Sequence, residues 1–154
     1  MSGEGSPILE LQVPDVHVTI VASMWHTEVM DGLIAGAQKA LAEAGVARVE
    51  LVRVAGSFEL PLAAQLAAAS ADAVVALGVI IRGGTPHFEY VSSAVTQGLM
   101  QATLLTETPI GFGVLTTDND EQALERAGLP GSKEDKGYEA AQAALSLVLT
   151  ARDL

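Results

Sequence analysis

Two adjacent glycines, a threonine, a proline and a histidine occupy positions 83–87, separated by Arg82 alone from the apolar run 76–81. Gly83 and Gly84 let backbone N–H groups turn toward a ligand where a side chain would block the approach. Thr85 suits the N-cap of a following helix and Pro86 its first turn, so unpaired donors and the positive end of the helix dipole are expected at the same loop. That combination suits a phosphate. Histidine is the one side-chain type that titrates near neutral pH without help, and His87 is placed to move protons beside a bound anion. The plainer reading is a helix cap followed by a surface histidine, and this stretch alone leaves both open.

A second group has the character of a ring-binding site. The chain has one Trp, two Tyr and three Phe, and it puts Trp25 and Phe58 in segments that read as loops. Core filling would put them on strands or inner helix faces, so the pair is expected to line a site for a flat ring rather than to pack locally. Glu59 follows Phe58 and precedes a helix start. It is suited either to the helix dipole or to accepting hydrogen bonds from the hydroxyls of a polyol. His17, within an apolar strand, reads as structural, and His26 beside Trp25 is ambiguous. The three histidines and scattered acids show no metal spacing, so no metal is expected.

The elements that must position these residues alternate. Strands are expected at 16–22, 48–54, 73–80 and 110–115, and helices at 27–44, 60–69, 86–106, 120–127 and 134–151. Such alternation, with nearly continuous apolar strands, implies an α/β fold: a three-layer α/β/α sandwich around a four-stranded parallel sheet covered on both faces. Ligands in such sheets sit beyond the carboxyl ends of the strands. That rule selects the loops at 23–26 and 55–59, the stretch 76–90 and the loop at 116–118, and the first three of these carry the candidate residues.

Composition narrows the function. The 154 residues are 49% hydrophobic and only 4% aromatic, with mean hydropathy +0.36. No apolar run is long enough to span a bilayer. A soluble chain this apolar is expected to bury surface against further copies of itself. A net charge of −11 disfavours nucleic acid and anionic membranes as partners, so an anion site needs its own cations. Arg82, Arg126, Lys133 and Lys136 fall in or near loops or helix ends. With no cysteine there is no disulfide and no thiol nucleophile. The cytoplasm is the expected location, with residues 1–12 a flexible lead-in lacking signal-peptide character and 13–154 one domain. The common nucleotide loops and the serine-hydrolase elbow are absent from the sequence.

Five segments in register, 54–61 (VAGSFELP), 76–91 (ALGVIIRGGTPHFEYV), 113–117 (GVLTT), 121–128 (EQALERAG) and 135–137 (DKG), resemble those of the 6,7-dimethyl-8-ribityllumazine synthases. The resemblance implies a flavodoxin-like sandwich that condenses 5-amino-6-ribitylaminouracil with 3,4-dihydroxy-2-butanone 4-phosphate, the penultimate step of riboflavin biosynthesis, without a cofactor. It implies that Trp25 and Phe58 sandwich the pyrimidine and that Glu59 binds ribityl hydroxyls. Ser57 and the backbone of Val79, Ile80 and Ile81 complete that half of the pocket. Gly84, Thr85 and Arg126 hold the phosphate, and His87 transfers protons. Phe112, Arg126 and Lys136 come from an adjacent subunit. Ser57 stands where many members have alanine, and Phe112 where the family varies. Residues 129–135 look longer than the connector of shell-forming members, which favours a pentamer over a sixty-subunit capsid. Riboflavin synthase is the partner implied in the pathway. A non-catalytic flavin or lumazine carrier and a structural shell protein are the competing readings.

Overall fold

Runs of β-branched and other apolar residues form the two central strands, His17–Ser23 (β1) and Ala73–Ile81 (β3), which are buried along almost their whole length in the computed structural model. The structure describes residues 4–154, so the first three positions of the expected lead-in lie outside the described residues. Arg48–Val54 (β2) and Ile110–Thr117 (β4) complete a four-stranded sheet of order β2-β1-β3-β4. Every neighbouring pair is parallel. Thr27–Glu43 (α1) and Lys136–Arg152 (α5) cover one face, and Leu60–Ala68 (α2) and His87–Thr106 (α3) the other. The short helix Asp120–Leu124 (α4) follows β4, and a 3₁₀ turn, Ser57–Glu59, precedes α2. The expected three-layer sandwich is therefore the fold.

The two faces are closed differently. Small residues let α5 pack closely on both α1 and the sheet: a Cβ on Gly137 would collide with the backbone of Leu33 in α1, and one on Gly111 in β4 with that of Ala140. The other face leaves large apolar side chains in solvent, Leu62 and Leu66 on α2 and Met100, Leu104 and Leu105 on α3. No helix among the described residues is long and apolar enough to cross a membrane.

Several expectations need correction. β2 is not a buried apolar strand; its sequence, RVELVRV, alternates, and because β1 is its one extensive packing partner, with no helix laid broadly over it, β2 is exposed from Arg48 to Arg53. Thr85 does not cap α3. Pro86 occupies the N-cap position, with no side-chain bond, because Glu89 N–H returns to Pro86 O at 3.1 Å and the first turn is tightened there. α4 ends at Leu124 rather than at 127, because residues 125–127 turn back to pair with the segment entering α5. Lys133 and Glu134 N–H groups donate to Glu125 O, and Lys136 N–H to Arg126 O. α5 starts at Lys136, capped by Asp135, whose carboxylate accepts from Tyr138 N–H at 3.1 Å.

Candidate active site

The carboxyl ends of β1, β2 and β3 converge on a cleft of about 900 Å³, which the loop after β4 does not line. Its first wall follows β1. Arg53 donates to the carbonyls of Ala22 and Ser23, at 3.3 and 2.9 Å, and so ties down the strand end from which the next loop departs. Trp25 projects from that loop 67% exposed. His26 follows in the left-handed region, at φ 60° and ψ 67°, a conformation that costs a non-glycine residue about 1–3 kcal/mol and concentrates at functional sites. The Trp25 and His26 rings lie 6.4 Å apart, tilted by 48°.

The 3₁₀ turn builds the second wall. Ser57 is buried, and its hydroxyl points to Val79 O at 3.4 Å, which seats the turn on β3. Phe58 is 64% exposed. Both exposed aromatics line the cleft rather than the core. Glu59 accepts from Gly56 N–H through Oε2 at 2.9 Å, so one of its carboxylate oxygens closes the turn.

The third wall is β3 and the loop after it. Val79 and Ile80 are buried, Ile81 is half-buried, and all three border the cleft with Gly83, Thr85 and His87. Neither Gly83 nor Gly84 has a positive φ, and a Cβ at either would meet nothing within 4 Å. Neither backbone strain nor packing within the chain therefore requires glycine there. His87 is exposed at the start of α3. Tyr90, Val91 and Ala94 join it along one helix face. The spacing of residues 87, 90, 91 and 94 carries that signal, though the sequence reading singled out only the histidine.

The cleft thus brings together nine expected site residues: Trp25, Ser57, Phe58, Glu59, Val79, Ile80, Ile81, Thr85 and His87. Gly84 belongs to the same loop without lining the cleft. Phe112, Arg126 and Lys136 of the same chain do not line it. Phe112 is exposed on edge strand β4. Arg126 donates to Gln122 O at 2.8 Å. Arg126 and Lys136 both approach Glu134, at 3.6 and 3.7 Å, so these two cations are clustered.

Among the described residues no lysine or arginine lines the cleft, and the nearest in sequence, Arg82, is engaged. Its Nε donates to Asp118 at 3.0 Å and its Nη1 to Glu89. Its guanidinium carbon stands 4.4 Å from the Phe88 ring centroid. These bonds hold Arg82 more firmly protonated than usual, chiefly through Asp118, and the guanidinium keeps the Glu89 carboxyl below the ordinary carboxylate range. Among the described residues no group of three His, Asp or Glu is arranged to hold a metal ion.

An aromatic-walled half beside a glycine, threonine and histidine loop can hold a flat ring next to an anion and move a proton between them. Comparison with known proteins points the same way. The family model described as 6,7-dimethyl-8-ribityllumazine synthase matches residues 15–152. A protein of that name from Kineococcus radiotolerans is 61% identical over 153 residues, which cover 99% of this chain and 95% of the relative. Those from Nocardioides sp. and Streptomyces coelicolor are 61% and 56% identical over 156 residues, all of this chain and 95% and 97% of theirs.

Proposed function

This chain belongs to the 6,7-dimethyl-8-ribityllumazine synthase family, and we propose that its cleft condenses 5-amino-6-ribitylaminouracil with 3,4-dihydroxy-2-butanone 4-phosphate, releasing phosphate and water in the penultimate step of riboflavin biosynthesis. The observation that carries the reading is the meeting in one cleft of Trp25, Phe58 and Glu59 with Gly83, Thr85 and His87. The pyrimidine lies between the two aromatic rings, and the free oxygen of Glu59 accepts from ribityl hydroxyls. The phosphate is held by the loop around Gly84 and Thr85 at the N-terminus of α3, where unpaired backbone donors favour an anion.

The uracil's amino group attacks the ketone carbonyl, and loss of water gives an imine. Elimination then expels phosphate, and ring closure with loss of a second water gives the lumazine. His87 takes and returns protons at the edge of the bound phosphate. Holding two substrates side by side supplies much of the acceleration, because it makes a bimolecular step effectively unimolecular.

A dianionic leaving group needs cations that this chain does not supply to its own cleft. Arg126 and Lys136, clustered at Glu134, serve the cleft of an adjacent copy together with the exposed Phe112. The uncovered apolar faces of α2 and α3 support such an assembly. The loop at 129–135 is braced by Ser132, whose hydroxyl accepts from Leu129 N–H at 2.9 Å. Its length favours a pentamer over a capsid.

The test is to mix the protein with both substrates and follow lumazine fluorescence against a protein-free control. Product at the spontaneous rate from folded protein would refute the enzymatic reading. Particle mass tests the pentamer, and a mixed oligomer separates shared from self-contained sites. An Arg126→Ala chain and a His87→Ala chain, each impaired alone, recover activity together only if the sites are shared.

A further inference from the structure

We infer that Arg82, a residue outside the substrate-contacting set, is the positioning residue of the phosphate loop. It acts by tying that loop to two other segments rather than by touching the phosphate. The inference rests on the enzymatic reading above.

Arg82 is the first residue past β3, so its side chain roots where the loop 83–86 begins. Its backbone N–H donates to Thr117 O at 2.9 Å, which carries the β3–β4 pairing one step past the strands. The guanidinium then reaches three places at once. Nε meets Asp118, in the loop after β4 and 36 residues away in sequence. Nη1 meets Glu89 in the first turn of α3, and the guanidinium face covers the Phe88 ring. Asp118 is itself anchored, its N–H donating to Gln122 Oε1 at 2.8 Å. Both ends of the loop, Arg82 before it and Phe88 and Glu89 after it, are therefore locked to one guanidinium and through it to β4. Between them a Cβ at Gly83 or Gly84 would meet nothing within 4 Å, so no neighbouring segment crowds that side of the loop to define its shape.

Electrostatics argues against direct phosphate binding by Arg82. One guanidinium between two carboxylates is a site of net charge −1, which repels a phosphate. The planar fork satisfies Asp118 and Glu89 in different directions while stacking on Phe88, which a lysine point charge cannot reproduce.

The experiment is steady-state kinetics on Arg82→Gln, Arg82→Lys and the double variant Glu89→Gln/Asp118→Asn, with inorganic phosphate affinity measured by calorimetry in parallel. Loss of two exposed charge pairs and a cation–π contact is expected to raise the KM for the butanone phosphate about tenfold in Arg82→Gln. The KM for the uracil should stay within about twofold, and inorganic phosphate should bind correspondingly more weakly. Arg82→Lys should fail to restore the wild-type KM. The double variant gives the decisive sign. Read at high salt, which screens the change in site charge, removing both carboxylates raises the KM for the butanone phosphate if Arg82 acts through its partners. If Arg82 were itself the phosphate's cation, freeing it would lower that KM and overturn the inference. An unchanged KM in Arg82→Gln, or full rescue by lysine, would do the same. Wild-type protein without turnover would refute the enzymatic reading instead, while the calorimetric comparison would still decide the role of Arg82.

Discussion

Replacing Gly78 with alanine tests how tightly the ring-binding half of the cleft is seated. Gly78 lies in β3, and an alanine Cβ there would stand 2.6 Å from Ser57 Oγ and 2.8 Å from Leu60 Cδ1. Carbon contacts are optimal at about 3.5–4.0 Å, so each neighbour must retreat by nearly an ångström. Leu60 is fully buried and Ser57 nearly so, which denies both an escape into solvent. Overpacking of this kind costs about 1–3 kcal/mol. At about 2 kcal/mol the thermal midpoint should fall by roughly 4–8 °C for a domain of this size. The sheet is held by strands on both sides, so the three-residue turn is what gives way, taking Phe58 and Glu59 with it. Thermal unfolding should show the loss, and kinetics should show a KM for the uracil raised about fivefold, as expected for roughly 1 kcal/mol of lost contact. The KM for the butanone phosphate should stay within about twofold. Adding Ser57→Ala removes the closer clash and should recover part of both effects. A midpoint within about 1 °C of wild type with both KM values unchanged would refute the reasoning.

The phosphate loop responds in the opposite way. Gly84→Ala should leave the thermal midpoint unchanged or slightly raised, because the position needs no positive φ and has room for a methyl. The same change should raise the KM for the butanone phosphate, and a large drop in midpoint would contradict this. His87→Ala should slow turnover by less than the ~10²–10⁴-fold typical of general acid–base residues, because substrate groups and water can substitute; an unchanged rate would remove it from the mechanism. Asp135→Asn should keep the bond from Tyr138 N–H and change the pH dependence of stability. Burial raises the Asp135 carboxyl above its ordinary value, so its contribution is fully present below the unfolded pKa, about 4, and is lost as pH rises through the folded pKa. The asparagine variant escapes that loss, and its midpoint should gain on wild type as pH rises from 4 to 7. A constant difference across that range would count against the assignment.

What was legible in the sequence is what local pattern controls. The apolar runs of β1 and β3, read with the rule that ligands gather at the carboxyl ends of parallel strands, pointed to the loops that form the cleft. What escaped was set by contacts between distant residues. The Arg82–Asp118 pair spans 36 positions, and no spacing rule connects them. By its place before a helix start, Glu59 suits the helix dipole or a ligand. Its bond to Gly56 N–H depends on the 3₁₀ turn, and that turn depends on Ser57 and Leu60 packing beneath β3. The periodicity of 120–127 suggested a longer α4. The returning segment at 133–136 takes backbone bonds from residues 125 and 126, and that competition ends the helix early. The exposure of β2 follows from its place at the edge that the helices leave largely uncovered, which composition could not supply.

Leu62 and Leu66 on α2, and Met100, Leu104 and Leu105 on α3, have consequences for how the protein behaves in a tube. In the proposed assembly, folding and association draw on the same apolar contacts, and mass action links them. Dilution then acts as a denaturant. A midpoint recorded at one concentration describes that concentration as much as the chain, and any variant on the α2/α3 face changes both at once. Heat resistance becomes a property of the population, gained by each copy from the number of its neighbours.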